Sequence, residues 1–422
     1  MRVGQALQLN GPELRDLYYT VLLKDLGCSS NAARICELYA TDDRAFKHGY
    51  KTVGTSLAST LYFVFSQTAR ERRFPRRVSA VGNILLNGRE IAQELIVSRC
   101  TRGAEVARML RFSQVVCDGI YHLDEHWDGS GCDGIYHLDE HWDGSGRPGA
   151  LRGAAVPLGS QLALLAQVVD VFHTHAGPTA ALDEAQRRAG SWFDPCLVRT
   201  LEKVSAEPSF WSALGSPTLE QRIVRMAPPD QGLGLDEDYL DDIVHAFGRV
   251  VDAKSPYTAN HSARVAGYAG KIARSLGIDP ARTRWLQRAA ALHDVGKLGV
   301  SSSILEKPST LDDREWVEMR EHATHTRTIL QRVGALAEFA DVAAAHRERL
   351  DGRGYPLGLQ QAAIGRDTRV ITTCDYFDAL TSDRPYRAAL PIEKAMAIIR
   401  SEVGGAIDPN CYEALASVIG TD

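Results

Sequence analysis

The chain has 422 residues, of which 44% are hydrophobic and 24% charged. This mixture is typical of globular proteins with two to three domains, and it excludes a disordered chain and a bundle of membrane helices. The 48 Lys and Arg residues against 53 Asp and Glu residues give a formal net charge of −5. A global attraction to nucleic acid polymers or to anionic membranes is therefore not expected.

The cysteine pattern and the apolar runs indicate in which cellular compartment the protein is expected. The eight cysteines are scattered without a C-x-x-C pair, and no basic and apolar leader follows Met1. We therefore expect reduced thiols in the cytoplasm, and neither a disulfide framework nor a cysteine-bound zinc. The longest apolar runs, such as 162–172, fall short of the ~20 residues that span a bilayer, so no membrane segment is predicted.

A tandem duplication stands out in the first half. The segment CDGIYHLDEHWDGSG occupies residues 117–131 and recurs unchanged at 132–146. Identity over the whole segment indicates a recent duplication, because structural repeats normally diverge outside their core positions. A looped-out insertion without function is the favoured interpretation. The alternative is that His122, Asp124, His137 and Asp139 chelate a cation.

A linker separates the two halves. Residues 227–234 (APPDQGLG) are rich in turn formers, poor in apolar side chains and without periodicity. These features are typical of a connection between domains. We therefore predict one domain over 1–229 and a second over 230–422.

Helical periodicity dominates the second domain. Apolar residues between 239 and 253 recur at the spacing of one buried helix face. Thr310 and Asp313 form a potential capping pair that would open a long helix. Further helices are predicted over 258–276, 280–293, 335–348, 367–381 and 391–403. The predicted fold class is all-α.

A second, weaker sequence repeat occurs once in each domain. DGSGRP at 143–148, an apolar helix containing Asp170 and FDP at 193–195 return as DGRGYP at 351–356, a helix containing Asp375 and IDP at 407–409. Each domain also has an apolar helix that ends in a short acidic turn, LLKDLG at 22–27 and ALHDVG at 291–296. We infer two homologous helical domains in tandem.

The second domain contains potential metal ligands. Imidazole nitrogens and carboxylate oxygens suit divalent first-row metals, and a carboxylate can bridge two ions. Two ions about 3.5–4 Å apart can polarise a phosphoryl oxygen and activate water, as phosphodiester hydrolysis requires. Spacing alone does not show that these side chains converge, and each histidine taken singly is more typical of a surface or core position. The candidates are His261, His293, Asp294, His322, His346 and Asp375.

Taken together, the motifs resemble a known family. Over residues 238–412 the chain is similar to the HD-GYP branch of the HD-domain metal-dependent phosphohydrolases, bacterial enzymes that hydrolyse cyclic di-GMP to pGpG or GMP. The motifs are HSARVA at 261–266, HDVGKLG at 293–299, the segment 319–322, HRERLDGRGYP at 346–356 and DYFDALTSDRPYR at 375–387. The resemblance implies two tandem HD-domain-like helical bundles, a cytoplasmic signalling enzyme and a cyclic dinucleotide as its small-molecule partner, with a homodimer left open.

The resemblance also implies a role for individual residues. The first metal would be held by His261, His293, Asp294 and Asp375, and a second by His322 and His346, with Asp294 bridging the two ions. Asp294 and Lys297 would be catalytic, with Lys297 facing the scissile phosphate. Substrate would be bound by Arg384 and Arg387, which resemble a phosphate clamp, and by Gly354, Tyr355 and Pro356, where Tyr355 can stack on guanine. Two divalent ions are expected, with Fe or Mn favoured and Zn, Ni and Co also compatible.

Three positions depart from the family pattern. Arg347 replaces a second histidine, so the second metal loses a ligand and gains a nearby positive charge, unless Arg347 turns outward to bind phosphate. Tyr257 replaces the acidic ligand of trinuclear members, so we expect at most two metals. Thr326 replaces a glycine, which we expect to affect packing only.

The first domain resembles a degenerate copy of the second. Lys24-Asp25 replaces His-Asp, Leu138-Asp139 replaces the paired histidines before Glu140, and Arg147-Pro148 replaces Tyr-Pro. Among the expected ligands only Asp25 and Asp170 remain, and Lys24 would repel a cation. We therefore expect a regulatory or scaffolding domain without a catalytic metal.

Three functions stay open at this point. The leading hypothesis is a metal-dependent phosphodiesterase that hydrolyses a cyclic dinucleotide, most simply cyclic di-GMP. A catalytically weak nucleotide-binding sensor or interaction protein is the second. The third is a phosphohydrolase that acts on another phosphoester.

Overall fold

The computed structural model describes residues 1–31, 34, 94–123, 151–229, 234–385 and 387–420. The chain divides into two compact units, Met1–Gly234 and Leu235–Asp422. Across the described ranges the regular elements are helices, and strand-like pairing is limited to isolated bridges. The predicted all-α fold class is therefore confirmed. Within the same ranges, no helix has the length and apolar character needed to cross a membrane.

The first unit is built around a buried apolar cluster on its long helix. Leu162, Leu165 and Val169 pack with Leu197 and Phe193. Residues 94–109 are helical, and the long helix is interrupted at Gly177, whose φ of +87° glycine adopts without a steric penalty. The helices with defined ends are Arg2–Ala6, Gly11–Leu23, Gln114–Tyr121, Leu158–Arg187, Pro195–Ser205, Pro208–Leu214 and Leu219–Arg225.

Several sequence features of the first domain fall outside the described residues. Most of the duplicated segment does so, including Asp124, His137 and Asp139. The same holds for the segment 138–148, which contains the degenerate counterparts of the paired histidines and of the Tyr-Pro motif. The chelation hypothesis for the duplicated segment therefore remains a prediction.

The second unit is a bundle whose helices present one apolar face to a common core. Val265, Ile272, Leu286, Leu330 and Ile371 are fully buried there. Complete burial of each of these side chains stabilises the unit by roughly 1.5–3 kcal/mol. The α-helices are Glu237–Asp252, His261–Ser275, Pro280–Leu292, Ser302–Leu305, Asp313–Gln331, Ala340–Ala344, Arg366–Thr381, Ile392–Ser401 and Pro409–Ile419.

Two of the predicted helices differ in detail. The cap of the helix Asp313–Gln331 is Asp312, which forms a capping box with Glu315, and not Thr310. The predicted helix over 335–348 is a short α-helix, Ala340–Ala344, between the 3₁₀ turns Gly334–Phe339 and Ala345–Arg347. Over so few residues, α and 3₁₀ turns share nearly the same apolar spacing, so periodicity does not separate them.

Candidate metal centre

The structure brings all six predicted metal ligands together. His261 begins one helix, and His293 and Asp294 follow the end of the next. The other three come from elements that are distant in sequence, the helices Asp313–Gln331 and Arg366–Thr381 and the 3₁₀ turn Ala345–Arg347. All six side chains are buried. The packing of the bundle therefore brings these six residues together, although most of them lie far apart in the sequence.

Each imidazole is held by its Nδ1 atom. In three histidines, Nδ1 lies 2.5–2.7 Å from the carbonyl oxygen three residues earlier in the chain. In His261, Nδ1 lies 2.6 Å from Asp378 Oδ2. A hydrogen bond at one ring nitrogen fixes the orientation of the other. The Nε2 atoms therefore point into the same buried space. The three carbonyls belong to Ala290, Met319 and Ala343, bonded to His293, His322 and His346.

Asp294 lies between two pairs of histidines. Its Oδ2 is 3.3 Å from the Nε2 atoms of both His261 and His293. Its Oδ1 is 3.7 Å from Nε2 of His322 and 3.6 Å from Nε2 of His346. The two Nε2 atoms are 3.2 Å apart in the first pair and 3.3 Å apart in the second. One carboxylate thus faces two separate groups of nitrogen donors.

Asp375 completes the group around the first pair. Its Oδ1 lies 3.5 Å from Nε2 of His261 and 3.7 Å from Nε2 of His293. Asp375 Oδ1 and Asp294 Oδ1 are buried and, within the described residues, have no hydrogen-bond partner. A buried carboxylate oxygen without a partner is unfavourable, and a cation would remove that cost.

The donor set fits divalent cations. Ligands bound at about 2.1 Å around one ion lie about 3.0–3.4 Å from each other. The separations of 3.2–3.7 Å between the Nε2 and carboxylate atoms are close to this range. Mixed nitrogen and oxygen donors suit first-row metals. The unpartnered carboxylate oxygens, the separations between donor atoms and the donor chemistry all fit a site for divalent cations.

The protonation states of Asp294, His322 and His346 suit cation binding, whereas His293 would first lose a proton. Burial raises the pKa of the Asp294 carboxyl, but the charges of His293 and Lys297 outweigh it and hold this pKa well below its usual range. Burial lowers the pKa of His293, yet Asp294 and Asp375 raise it to about 10, so His293 holds a proton that a metal would displace. Burial lowers the pKa of His322 to about 4 and holds that of His346 well below its usual value, which keeps both rings neutral.

Asp378 is a functional residue to which the sequence analysis gave no role. It is 1% exposed and accepts hydrogen bonds from His261 Nδ1 and from the guanidinium of Arg264. By orienting His261 it acts on the metal centre without facing it. The available signal was its position three residues after Asp375, which places both carboxylates on one side of a helix.

The turn that carries Asp294 is fixed by close backbone packing. A side chain on Gly296 would begin 1.9 Å from the carbonyl oxygen of His322, so only glycine fits there. Thr326 Oγ1 accepts a hydrogen bond from Gly296 N and donates one to the carbonyl of His293. Thr326 therefore ties the His293-Asp294 turn to the neighbouring helix by hydrogen bonds, in addition to the packing role that the sequence predicts.

A cavity of about 660 Å³ opens over the centre. Positive side chains lie along it, and Lys297 Nζ also donates to Asp294 Oδ2. Another part of the wall is apolar. The basic side chains are Lys254, Lys297, Lys307, Arg347 and Arg384, and the apolar ones include Ile304, Leu305, Leu311, Trp316 and Met319. Such a cavity suits a ligand with both phosphate and flat apolar groups.

The predicted substrate-binding residues take different positions. Arg384 and Tyr355 line the cavity. The guanidinium of Arg387 donates to the carbonyl oxygens of residues 379, 380 and 388 and so braces the backbone of its own turn. Gly354 packs against backbone, since a side chain there would begin 2.4 Å from the Arg349 nitrogen. Pro356 follows Tyr355 through a cis peptide bond.

Arg347 faces the cavity while it contacts a candidate ligand. Its Nη2 lies 3.0 Å from Asp375 Oδ2. Although burial opposes the effect, the charge of Arg347, with His293, holds the pKa of Asp375 well below its usual range. Tyr257, which replaces an acidic ligand, also lines the cavity.

The corresponding turn of the first unit has a different chemistry. Lys24 Nζ lies 2.6 Å from Asp25 Oδ2 and 3.1 Å from Gln167 Oε1. The lysine thus neutralises the carboxylate that remains there. Asp170 is exposed.

The chain is similar to several known phosphodiesterases. The HD domain family matches residues 246–411. The 3'3'-cGAMP-specific phosphodiesterase 3 of Vibrio cholerae is 51% identical over 419 residues, covering 99% of this chain and 88% of that protein. A cyclic di-GMP phosphodiesterase of Thermotoga maritima is 35% identical over 180 residues, covering 42% and 49%. The crystal structure of the V. cholerae cyclic GMP-AMP-specific phosphodiesterase V-cGAP3 matches with a TM-score of 0.60 and 45% identity, covering 99% of this chain and 90% of that one.

These findings define the enzyme class and the family to which the chain belongs. The chain has the fold of an HD-domain metal-dependent phosphohydrolase and belongs to that class of enzymes. The chain belongs to the HD-GYP family of phosphodiesterases within that class. The family resemblance of the sequence motifs is therefore confirmed.

Proposed function

We propose that this chain hydrolyses a 3'3'-linked cyclic dinucleotide with two divalent metal ions bound on either side of Asp294. The observation that carries the proposal is that the two oxygens of Asp294 face two different histidine pairs. A carboxylate in this position can bridge two ions. When bound, the ions would activate a water molecule and polarise the phosphoryl oxygen.

In this proposal, each ion has its own set of donors. His261, His293 and Asp375 would hold the first ion together with Asp294. His322 and His346 would hold the second. Fe or Mn is favoured, and Zn, Ni and Co are compatible with the same donors. Tyr257 offers no carboxylate for a third ion.

The remaining charged groups would act on the phosphate. Lys297, Arg347 and Arg384 line the cavity beside the centre. Positive groups that are fixed before the reaction stabilise the charge that develops on phosphoryl oxygens. Because Arg347 also contacts Asp375, it would link substrate binding to the first metal. Tyr355 would contact a base.

We favour 3'3'-cGAMP as the substrate, with cyclic di-GMP as the second candidate. A relative that matches nearly the whole chain at 51% identity is specific for 3'3'-cGAMP by name. The T. maritima relative named for cyclic di-GMP matches 42% of the chain. The first unit, with Lys24 bonded to Asp25, would serve as a degenerate HD-GYP-like domain with a regulatory or scaffolding role.

Steady-state hydrolysis of both cyclic dinucleotides by the metal-loaded protein tests the proposal. We expect a higher kcat/KM for 3'3'-cGAMP. Asp294→Ala should lower turnover by more than about 100-fold. Loss of a residue that only hydrogen-bonds to a metal ligand already lowers metal affinity or activity by about 10- to 100-fold. Asp341→Ala is the matched control, because Asp341 is an exposed carboxylate of the same unit that pairs with Arg327.

Each other outcome points to a specific alternative. A higher kcat/KM for cyclic di-GMP would restore the substrate that the sequence motifs suggested first. Binding of a cyclic dinucleotide without turnover would favour a nucleotide-binding sensor. Turnover of bis(p-nitrophenyl) phosphate without turnover of either cyclic dinucleotide would favour another phosphoester.

A further inference from the structure

One face of the helix Asp313–Gln331 leads from the metal centre into the apolar part of the cavity. Trp316, Met319 and His322 follow each other at three-residue spacing, and all three line the cavity. Residues with this spacing lie on the same side of a helix. With a rise of 1.5 Å per residue, Trp316 lies about 9 Å from His322 along the helix axis.

The Tyr355 ring and the Arg320 guanidinium form a chain of contacts between His322 and Trp316. The Tyr355 ring lies 6.0 Å from the His322 ring and meets it edge-on. The Arg320 guanidinium lies 5.6 Å from the centre of the Tyr355 ring and 5.8 Å from the centre of the Trp316 ring. Both separations are within the range of cation–π attraction, so Arg320 helps to hold the two rings in place.

Trp316 is the outermost member of this series, and it is 43% exposed. An indole that is exposed inside a cavity offers a large apolar surface for a ligand. The cavity wall also includes Leu311, Ile304 and Leu305, which are apolar. Ser309 and Thr310 add hydroxyl groups to the same wall. A purine base has the matching shape, with apolar faces and a polar edge.

We propose that Trp316 is the stacking platform for one purine base of the cyclic dinucleotide. This inference rests on the proposed function and adds the place where a base binds. Stacking on an aromatic side chain is largely independent of the base, because every base has a π face. Trp316 therefore contributes similarly to the binding of 3'3'-cGAMP and of cyclic di-GMP. Discrimination between the two belongs to groups that contact the base edge.

The test compares Trp316→Ala with Val317→Ala in the full-length, metal-loaded protein. Val317 is the matched control, because it is exposed on the same helix and does not line the cavity among the described residues. Trp316→Ala should raise KM for both cyclic dinucleotides by about 5- to 150-fold, the measured range for one stacked base. Trp316→Phe should recover most of this loss, and Val317→Ala should leave KM unchanged.

A substrate without a base separates stacking from damage to the centre. Methyl p-nitrophenyl phosphate has its one ring directly on the reacting phosphate, so its kcat/KM should change less than about twofold in Trp316→Ala. The bound metal content should also stay the same. An unchanged KM for the cyclic dinucleotides would overturn the inference. An equal loss for methyl p-nitrophenyl phosphate would also overturn it, because a structural role would then explain the effect.

Calorimetric titration with each cyclic dinucleotide keeps this inference distinct from the proposed function. If the unmutated protein binds a cyclic dinucleotide without hydrolysing it, the proposed function fails, and the inference is decided by the change in Kd in Trp316→Ala. That Kd should rise by the same factor as KM would, and an unchanged Kd would overturn the inference. If the unmutated protein neither binds nor hydrolyses cyclic dinucleotides, both proposals fail.

Discussion

Replacing Asp378 with asparagine should weaken metal binding while the protein stays folded. The Asp378 carboxylate accepts hydrogen bonds from His261 Nδ1 at 2.6 Å and from Arg264 Nε and Nη2. Asparagine has the same shape, but only one of its two terminal atoms is an acceptor. A single acceptor atom does not serve both His261 Nδ1 and Arg264 Nε, and the amide carries no negative charge, so the orientation of His261 Nε2 toward the centre is held less firmly.

The expected effect separates metal affinity from stability. Loss of the outer partner of a metal-binding histidine typically costs about 10- to 100-fold in metal affinity. A buried donor left without a partner costs about 1–3 kcal/mol of the free energy of unfolding. Typical domains have about 5–15 kcal/mol of such stability, so Asp378→Asn should remain folded.

Metal affinity is measured by equilibrium dialysis against Mn²⁺, and stability by urea denaturation. Asp408→Asn is the matched control. Asp408 is also a buried carboxylate, and it pairs with Arg369 at 2.8 Å and caps the helix Pro409–Ile419. It should lose a similar amount of stability and keep its metal affinity. Equal metal affinities in Asp378→Asn and Asp408→Asn would refute the positioning role of Asp378.

Three further predictions concern the surroundings of the centre. Thr326→Val removes the hydrogen bonds to Gly296 N and the His293 carbonyl. It should therefore lower the free energy of unfolding by about 1–3 kcal/mol, and an unchanged urea midpoint would contradict this. Arg347→His removes the charge 3.0 Å from Asp375 and adds an imidazole, so Mn²⁺ affinity in dialysis should rise, and a decrease would show that Arg347 supports the metal site. The hydrogen bond from Arg349 lowers the pKa of Asp351 to about 2, below its usual value of about 4. A lowered carboxyl pKa stabilises the folded state above about pH 4 and loses this effect as the pH falls to about 2. Thermal unfolding of Asp351→Asn should therefore change less over that pH range than that of the unmutated protein, and parallel curves would contradict the pairing.

Sequence reasoning singled out the candidate ligands because they lie within motifs of fixed local spacing. His293 and Asp294 are adjacent, and helical periodicity located the elements that carry His261, His322 and Asp375. Their convergence depended on the packing of the bundle, which spacing does not encode. The role of Asp378 was not predictable in the same way, since its bond to His261 joins residues 117 positions apart.

Other differences arise where one residue type suits two environments. A guanidinium binds phosphate oxygens and backbone carbonyls equally well, so the sequence did not distinguish Arg384, which lines the cavity, from Arg387, which braces its turn. Threonine and aspartate both cap helices, and the capping box with Glu315 selects Asp312 over Thr310. Both outcomes depend on partners that become neighbours only in the folded chain.

Metal analysis of the dialysed, full-length protein tests the central claim most directly, that Asp294 joins two metal sites. We expect two divalent ions per chain in the unmutated protein and the loss of both in Asp294→Ala, with circular dichroism showing that the helices are retained. One ion or none in a fully active unmutated protein, or the same metal content in Asp294→Ala, would contradict the account.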